Sequence, residues 1–170
     1  MANSNAFTLT RVLNAPRELV WKVYTQEEHL AKWFGPKGLK MISTKLDFRP
    51  GGIFHYGMQT PDGHEMWGKF IYREIIAPER LVFIVSFSDK NGGTTRHPMA
   101  PNWPLETLSD TTFEEVEGAP AKTKLTLNWS AINATPEECR IFDDSHASMN
   151  QGHNGTFEQL DEYLKTIQNK

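Results

Sequence analysis

His153 and Tyr56 are the residues of this chain best suited to chemistry. His153 falls on a stripe of His146, Met149, His153, Phe157, Leu160 and Leu164, each three or four positions from the next. An imidazole on such an apolar face must find a hydrogen-bonding partner or give up its charge. Tyr56 could supply that partner, and the pair could then orient a carbonyl or hydroxyl of a bound molecule. The same two groups, or His55, could instead serve as acid and base in a cyclase or hydrolase. The bland alternative, a histidine satisfied within the core, is the commoner fate of such a residue.

Other chemistry finds less support. His64-Glu65-Met66 lacks the second histidine four positions on that a zinc-binding helix needs. Six scattered histidines and one cysteine give no metal-ligand spacing, so neither a metal nor a cofactor is expected. Asp47-Phe48-Arg49-Pro50-Gly51-Gly52 has glycines but no following helix and no lysine, and reads as a strand-ending turn rather than a phosphate cradle. Cys139 has no histidine at a legible spacing and reads as a small buried residue. No serine stands in a nucleophile elbow. No residue is assigned a catalytic role.

A binding site is better supplied. Phe54, Tyr56 and Met58 alternate on one segment, Phe70 lies on the next, and Phe83, Phe113, Leu127 and Trp129 follow on later ones. Met149, His153 and Phe157 face them from the C-terminal stripe, and Trp33 and Phe34 are expected at the mouth. These residues could simply pack a dry core. Their surplus argues for a cavity, because each large aromatic buries on the order of 150–250 Å². Gly152 and Gly155 interrupt the helical stripe at about 0.8–1.0 kcal/mol each in propensity. Close approach of a ligand or a strand would account for them, and so would a helix that starts only beyond Gly152.

The elements that must position this wall can be read in order. Phe7 to Leu13 alternates as a strand with Phe7, Leu9 and Leu13 on its apolar side. Pro16 suits the first position of a short helix carrying Leu19, Val20, Val23 and Tyr24, and Leu30, Trp33 and Phe34 repeat the spacing in a second. Gly35-Pro36 ends it. From Gly38 to Trp129 the pattern changes to short runs divided by turns, which predicts six more antiparallel strands. Pro61-Asp62-Gly63 carries the chemistry of a tight turn, and Glu117-Gly118-Ala119-Pro120 turns the last pair. Thr94 to Pro104 has no period and reads as a long connection, either a lid or an inert surface loop. Lys122 to Ala131 alternates cleanly, with Thr123, Leu125, Leu127 and Trp129 inward. Thr135-Pro136-Glu137-Glu138 is a capping box. The helix beyond it should break between Ser145 and Gly152.

The fold class that follows is α+β: a helix-grip in which a curved seven-stranded antiparallel sheet wraps a long C-terminal helix, with two short helices after the first strand. At 170 residues, with 38% hydrophobic and 11% aromatic content, the chain reads as one domain with residues 1–5 as a tail. A formal charge of −3 leaves no basic field for nucleic acid. No apolar run approaches the roughly 20 residues that span a bilayer, so membrane insertion is not expected. The N-terminal residues lack the blocks of a signal peptide, and the lone cysteine cannot pair within the chain, which together predict a cytoplasmic protein.

Ala15-Pro16-Arg17-Glu18-Leu19-Val20-Trp21, His29-Leu30-Ala31-Lys32-Trp33-Phe34-Gly35-Pro36, Asp47-Phe48-Arg49-Pro50-Gly51-Gly52, Pro78-Glu79-Arg80-Leu81-Val82-Phe83 and Gly155-Thr156-Phe157-Glu158-Gln159-Leu160 together resemble the SRPBCC superfamily. Within it the resemblance is to the AHSA-like branch, related to activators of a heat-shock chaperone ATPase. It implies a START-like fold of the birch-pollen-allergen type with a deep hydrophobic cavity. Members of the branch often carry an aromatic residue after the glycine of the last helix, where this chain has His153 after Gly152. Three functions remain open: a non-catalytic carrier or sensor of a small hydrophobic molecule, an enzyme using the same cavity, and a module that docks on a chaperone. Homodimerisation through the convex sheet or the long loop is compatible with all three.

Overall fold

The computed structural model describes residues 6–35, 38–97 and 100–169. The expected tail 1–5, Pro36 and Pro98 lie outside them. Strand β1 (Phe7–Leu13) leads into helices α1 (Arg17–Thr25) and α2 (Glu27–Trp33). Then come β2 (Lys40–Leu46), β3 (Ile53–Gln59), β4 (Glu65–Ile76), β5 (Arg80–Ser88), β6 (Thr94–Thr95), β7 (Glu106–Val116) and β8 (Ala119–Ile132). Helices α3 (Pro136–Asp144) and α4 (His146–Gln168) close the chain. The strands form one antiparallel sheet in the order β1-β8-β7-β5-β4-β3-β2, the α+β helix-grip predicted from the pattern.

The differences from the sequence reading are local. β6 is an addition: Thr94 and Thr95 pair with Ser88 and Phe87 at the start of the long connection. Two residues are too few to show a period. Pro16 stands one position before α1, in extended conformation, and its carbonyl accepts from the Leu19 and Val20 N–H groups at 3.0 Å each. The last turn is tighter than expected: Val116 already pairs with Ala119, and Gly118 takes φ +76° between them. At α3 the Thr135 side chain accepts from Glu138 N and the Glu138 carboxylate accepts from Thr135 N, the reciprocal cap that the spacing predicts. The break before the long helix falls at Ser145.

Register shifts in β2, β4 and β8 bend the sheet, since unpaired residues on one strand tilt it against its neighbour. The concave face so formed receives α4. Phe157, Leu160 and Leu164 press on it with at most 2% exposure, and Val20, Val23 and Leu30 of the small helices fill one end. Polar ties fix the helix in place: Arg11 of β1 reaches Asp161 at 2.6 Å, and His29 Nδ1 of α2 meets the Tyr163 hydroxyl at 2.6 Å. The Gln159 side chain also donates to Gly35 O at the end of α2.

Candidate functional site

Between the concave sheet and the N-terminal half of α4 lies a cavity of about 470 Å³. Register explains how it stays open. Tyr56 of β3 pairs with Gly68 of β4. A Cβ at Gly68 would stand 2.5 Å from the Tyr56 hydroxyl and 2.7 Å from Cζ, so the ring lies flat across the glycine. An aromatic laid over a cross-strand glycine keeps the sheet paired without filling the space above it. Burial pushes the Tyr56 phenol well above its ordinary range, so it stays protonated.

Most of the residues expected at the wall are there. Met58 and Phe70 lie beside Tyr56, and Phe83 stacks on Phe70 with ring centres 4.3 Å apart. Leu127 and Trp129 of β8 form the opposite side, and Met149, His153 and Phe157 cover it from α4. Phe34 meets Tyr56 and Phe70 edge-on at 5.0 and 5.4 Å. Trp33 also reaches the cavity but does not sit at its rim: it is 2% exposed and its indole donates to Val23 O at 2.9 Å. Phe54 and Phe113 are off the wall. Phe54 packs behind Phe34 and Phe70, and Phe113 is enclosed by Trp21 and Tyr24, both in the solid core.

His153 is the titratable residue of the helical wall, beside the hydroxyls of Ser148 and Thr156. Its ring stacks on Phe7 at 5.7 Å and stands edge-on to Trp129 at 5.1 Å. Burial among these rings lowers its pKa to about 4, so it is a neutral imidazole at pH 7. The expected hydrogen bond to Tyr56 does not form among the described residues. His55 lies away from the cavity. It alternates with Tyr56 onto the convex face, stacks on Trp67, and points Nε2 at Ser88 Oγ and Asp89 O, each 3.1 Å away.

The sequence reading missed polar groups on β7, and with them Ser86 of β5 and Ser148 and Thr156 of α4. Thr107, Ser109 and Thr111 are at most 2% exposed and line the cavity floor opposite Phe83 and Val85. Thr107 donates to Val85 O at 3.2 Å, and the Ser109 and Thr111 hydroxyls share one bond at 3.2 Å. Trp103, from the long connection, was missed too. It packs on Trp129 and Phe142 and completes the wall. Its loop is held by Arg96, which donates to Trp103 O at 2.9 Å and to the Glu138 carboxylate at 2.5 Å. Among the described residues no Asp, Glu, Lys or Arg lines the cavity, and no cluster is arranged to hold a metal ion.

A bent antiparallel sheet gripping a long helix over an apolar cavity defines a helix-grip protein of the SRPBCC type. The chain belongs to the family described as Activator of Hsp90 ATPase homolog 1-like protein, which it matches over residues 14–165. That fold is one of ligand-binding or co-chaperone-type domains. Solved structures agree in shape. A protein from Nitrosomonas europaea is 26% identical, with 97% of each chain covered and a TM-score of 0.73. One from Mycobacterium smegmatis is 24% identical, covering 94% of this chain and 90% of its own, with a TM-score of 0.74. The AHSA1 protein from Silicibacter pomeroyi is 16% identical over 96% and 99% of the two chains, with a TM-score of 0.72. No curated protein matches the sequence. Among the described residues no helix is long and apolar enough to cross a membrane.

Proposed function

We propose that this protein holds a small hydrophobic molecule between its sheet and α4, as a carrier or sensor and not as an enzyme, in the cytoplasm. One observation carries the reading: a cavity of about 470 Å³ walled by aromatic and aliphatic side chains. Pockets that enclose small molecules run to about 300–1,000 Å³ and are mostly apolar with a few placed polar groups. A void of that size would cost several kcal/mol if it served only as core. Acid–base catalysis needs two titratable groups converging on one reacting atom. Here His153 and Tyr56 do not meet, and each is held in its neutral form by burial.

The test is uptake of a neutral fluorescent probe, N-phenyl-1-naphthylamine, by the whole chain and by Val85→Phe. Val85 sits on the cavity floor between Phe70 and Thr107, and a phenyl group there occupies the guest's volume. The expected result is saturable uptake by the natural chain and at least about tenfold weaker uptake by the variant, with far-UV circular dichroism unchanged. Absence of uptake, or uptake that Val85→Phe does not alter, sinks the reading.

A further inference from the structure

The composition of the cavity wall bears on the chemistry of its guest. Among the described residues that reach the cavity, the titratable side chains are Tyr24, Tyr56 and His153, and none of them carries charge at neutral pH. The nearby cations that the structure pairs are already engaged: Arg96 with Glu138 at 2.5 Å, and Arg11 with Asp161 at 2.6 Å. A carboxylate or phosphate drawn inside would leave water without a counter-charge. That loss is not recovered by apolar contact, because an unpaired buried ion is among the most expensive groups a protein can hold.

Aromatic faces are the one feature of such a wall that attracts a cation. Here those faces are largely engaged with one another. Phe70 is stacked on Phe83, and Phe34 packs at steep angles against Phe54, Tyr56 and Phe70. The polar atoms that remain are neutral: hydroxyls, the His153 imidazole, and the Trp129 indole N–H, which is buried without a hydrogen-bond partner among the described residues. In the Ser109–Thr111 pair either oxygen can be the donor, and each hydroxyl brings one hydrogen and two lone pairs. One shared bond uses a single hydrogen and a single lone pair, so the pair keeps capacity both to donate and to accept. That capacity matches an uncharged carbonyl or hydroxyl oxygen.

We propose that the guest is electrically neutral: an apolar body bearing at most uncharged oxygen groups, and not a fatty-acid anion, a phosphate ester or an amine. The inference rests on the carrier reading and narrows it to one chemical class. It separates this cavity from sites of similar size that hold a carboxylate on an arginine or lysine.

The experiment is a competition series on the natural chain loaded with N-phenyl-1-naphthylamine, using 1-decanol, decanoate and decylammonium, which share one ten-carbon tail and differ in head-group charge. The expected result is displacement by decanol at a concentration at least about tenfold below that of either ion, at pH 7.5 and below every competitor's micelle concentration. Decanoate or decylammonium equal to or stronger than decanol overturns the inference while leaving the carrier reading intact. A probe that never binds saturably overturns the carrier reading first, and the inference with it, so the two failures have different signatures.

Discussion

Helix α4 lies on the sheet as one continuous helix, His146–Gln168, yet the space beneath its two halves is unlike. Under the C-terminal half Leu160 and Leu164 are 0% and 2% exposed, and the interior there is solid. Under the N-terminal half Ser148, Gly152 and Thr156, small residues at steps of four, face a cavity beside the larger Met149, His153 and Phe157. The backbone hardly changes between the two; the sizes of the side chains do. Large branched residues at steps of four fill the layer between helix and sheet, whereas small ones leave it hollow. A guest chamber here needs no special fold, only small residues at steps of four along about two turns of an otherwise ordinary packing helix.

The largest effect expected from this contrast is on stability. Leu160→Ala should cost toward the upper end of about 2–5 kcal/mol, since close-packed neighbours cannot collapse onto the missing group. Met149→Ala should fall toward the lower end of that range, because one side of Met149 already faces the void. Urea denaturation of the two variants checks this. Equal losses would mean that the N-terminal half is packed as tightly as the other.

That contrast was only partly legible beforehand. The strand pattern, the capping box at Thr135 and the stripe on α4 are periodic signals that the fold obeys. The face of β7 is legible only through Phe113, read as inward. Leu108 differs from it in parity, so apolar content alone does not extend that side to Thr107, Ser109 and Thr111. Pairing decides it: Ser109 stands between Phe83 of β5 and Trp129 of β8, which turns Thr107, Ser109 and Thr111 inward and Leu108 away. Periodicity cannot keep Phe54 and Phe113 off the wall, because an inward residue in solid core and one beside a cavity carry the same pattern. Trp103 could not be placed at all, since its position depends on a loop tied down by Arg96 and not on any repeat.

A second prediction uses His153, which faces the hollow half. Its folded pKa, about 4, is below the ordinary value of 6.5. Between those values the unfolded chain takes up a proton that the folded chain refuses, so the group lowers stability as pH falls from 6.5 toward 4. The shift corresponds to roughly 3 kcal/mol at most. His153→Phe removes that term, so the natural chain should lose about 2–3 kcal/mol more than the variant between pH 7 and pH 4.5 in urea denaturation. Parallel losses would show that the imidazole is solvated when charged, and that the hollow half admits water freely.

The smallest expected effect comes from Gly152. Its place inside α4 disposes of the idea that the helix starts beyond it, and a Cβ there would meet nothing within 4 Å. Close approach by a strand is therefore not its reason. With no steric demand, the residue's main energetic consequence is its weak helix propensity, so Gly152→Ala should raise stability by about 0.8–1.0 kcal/mol, read as a rise in the urea midpoint at constant slope. Gly68→Ala offers the opposite case, because its new methyl would strike the Tyr56 ring and lift it from the sheet. A Gly152→Ala variant no more stable than the natural chain would mean that this turn of α4 gains nothing from being a better helix. The hollow half would then owe its space to a backbone that opens as well as to small side chains.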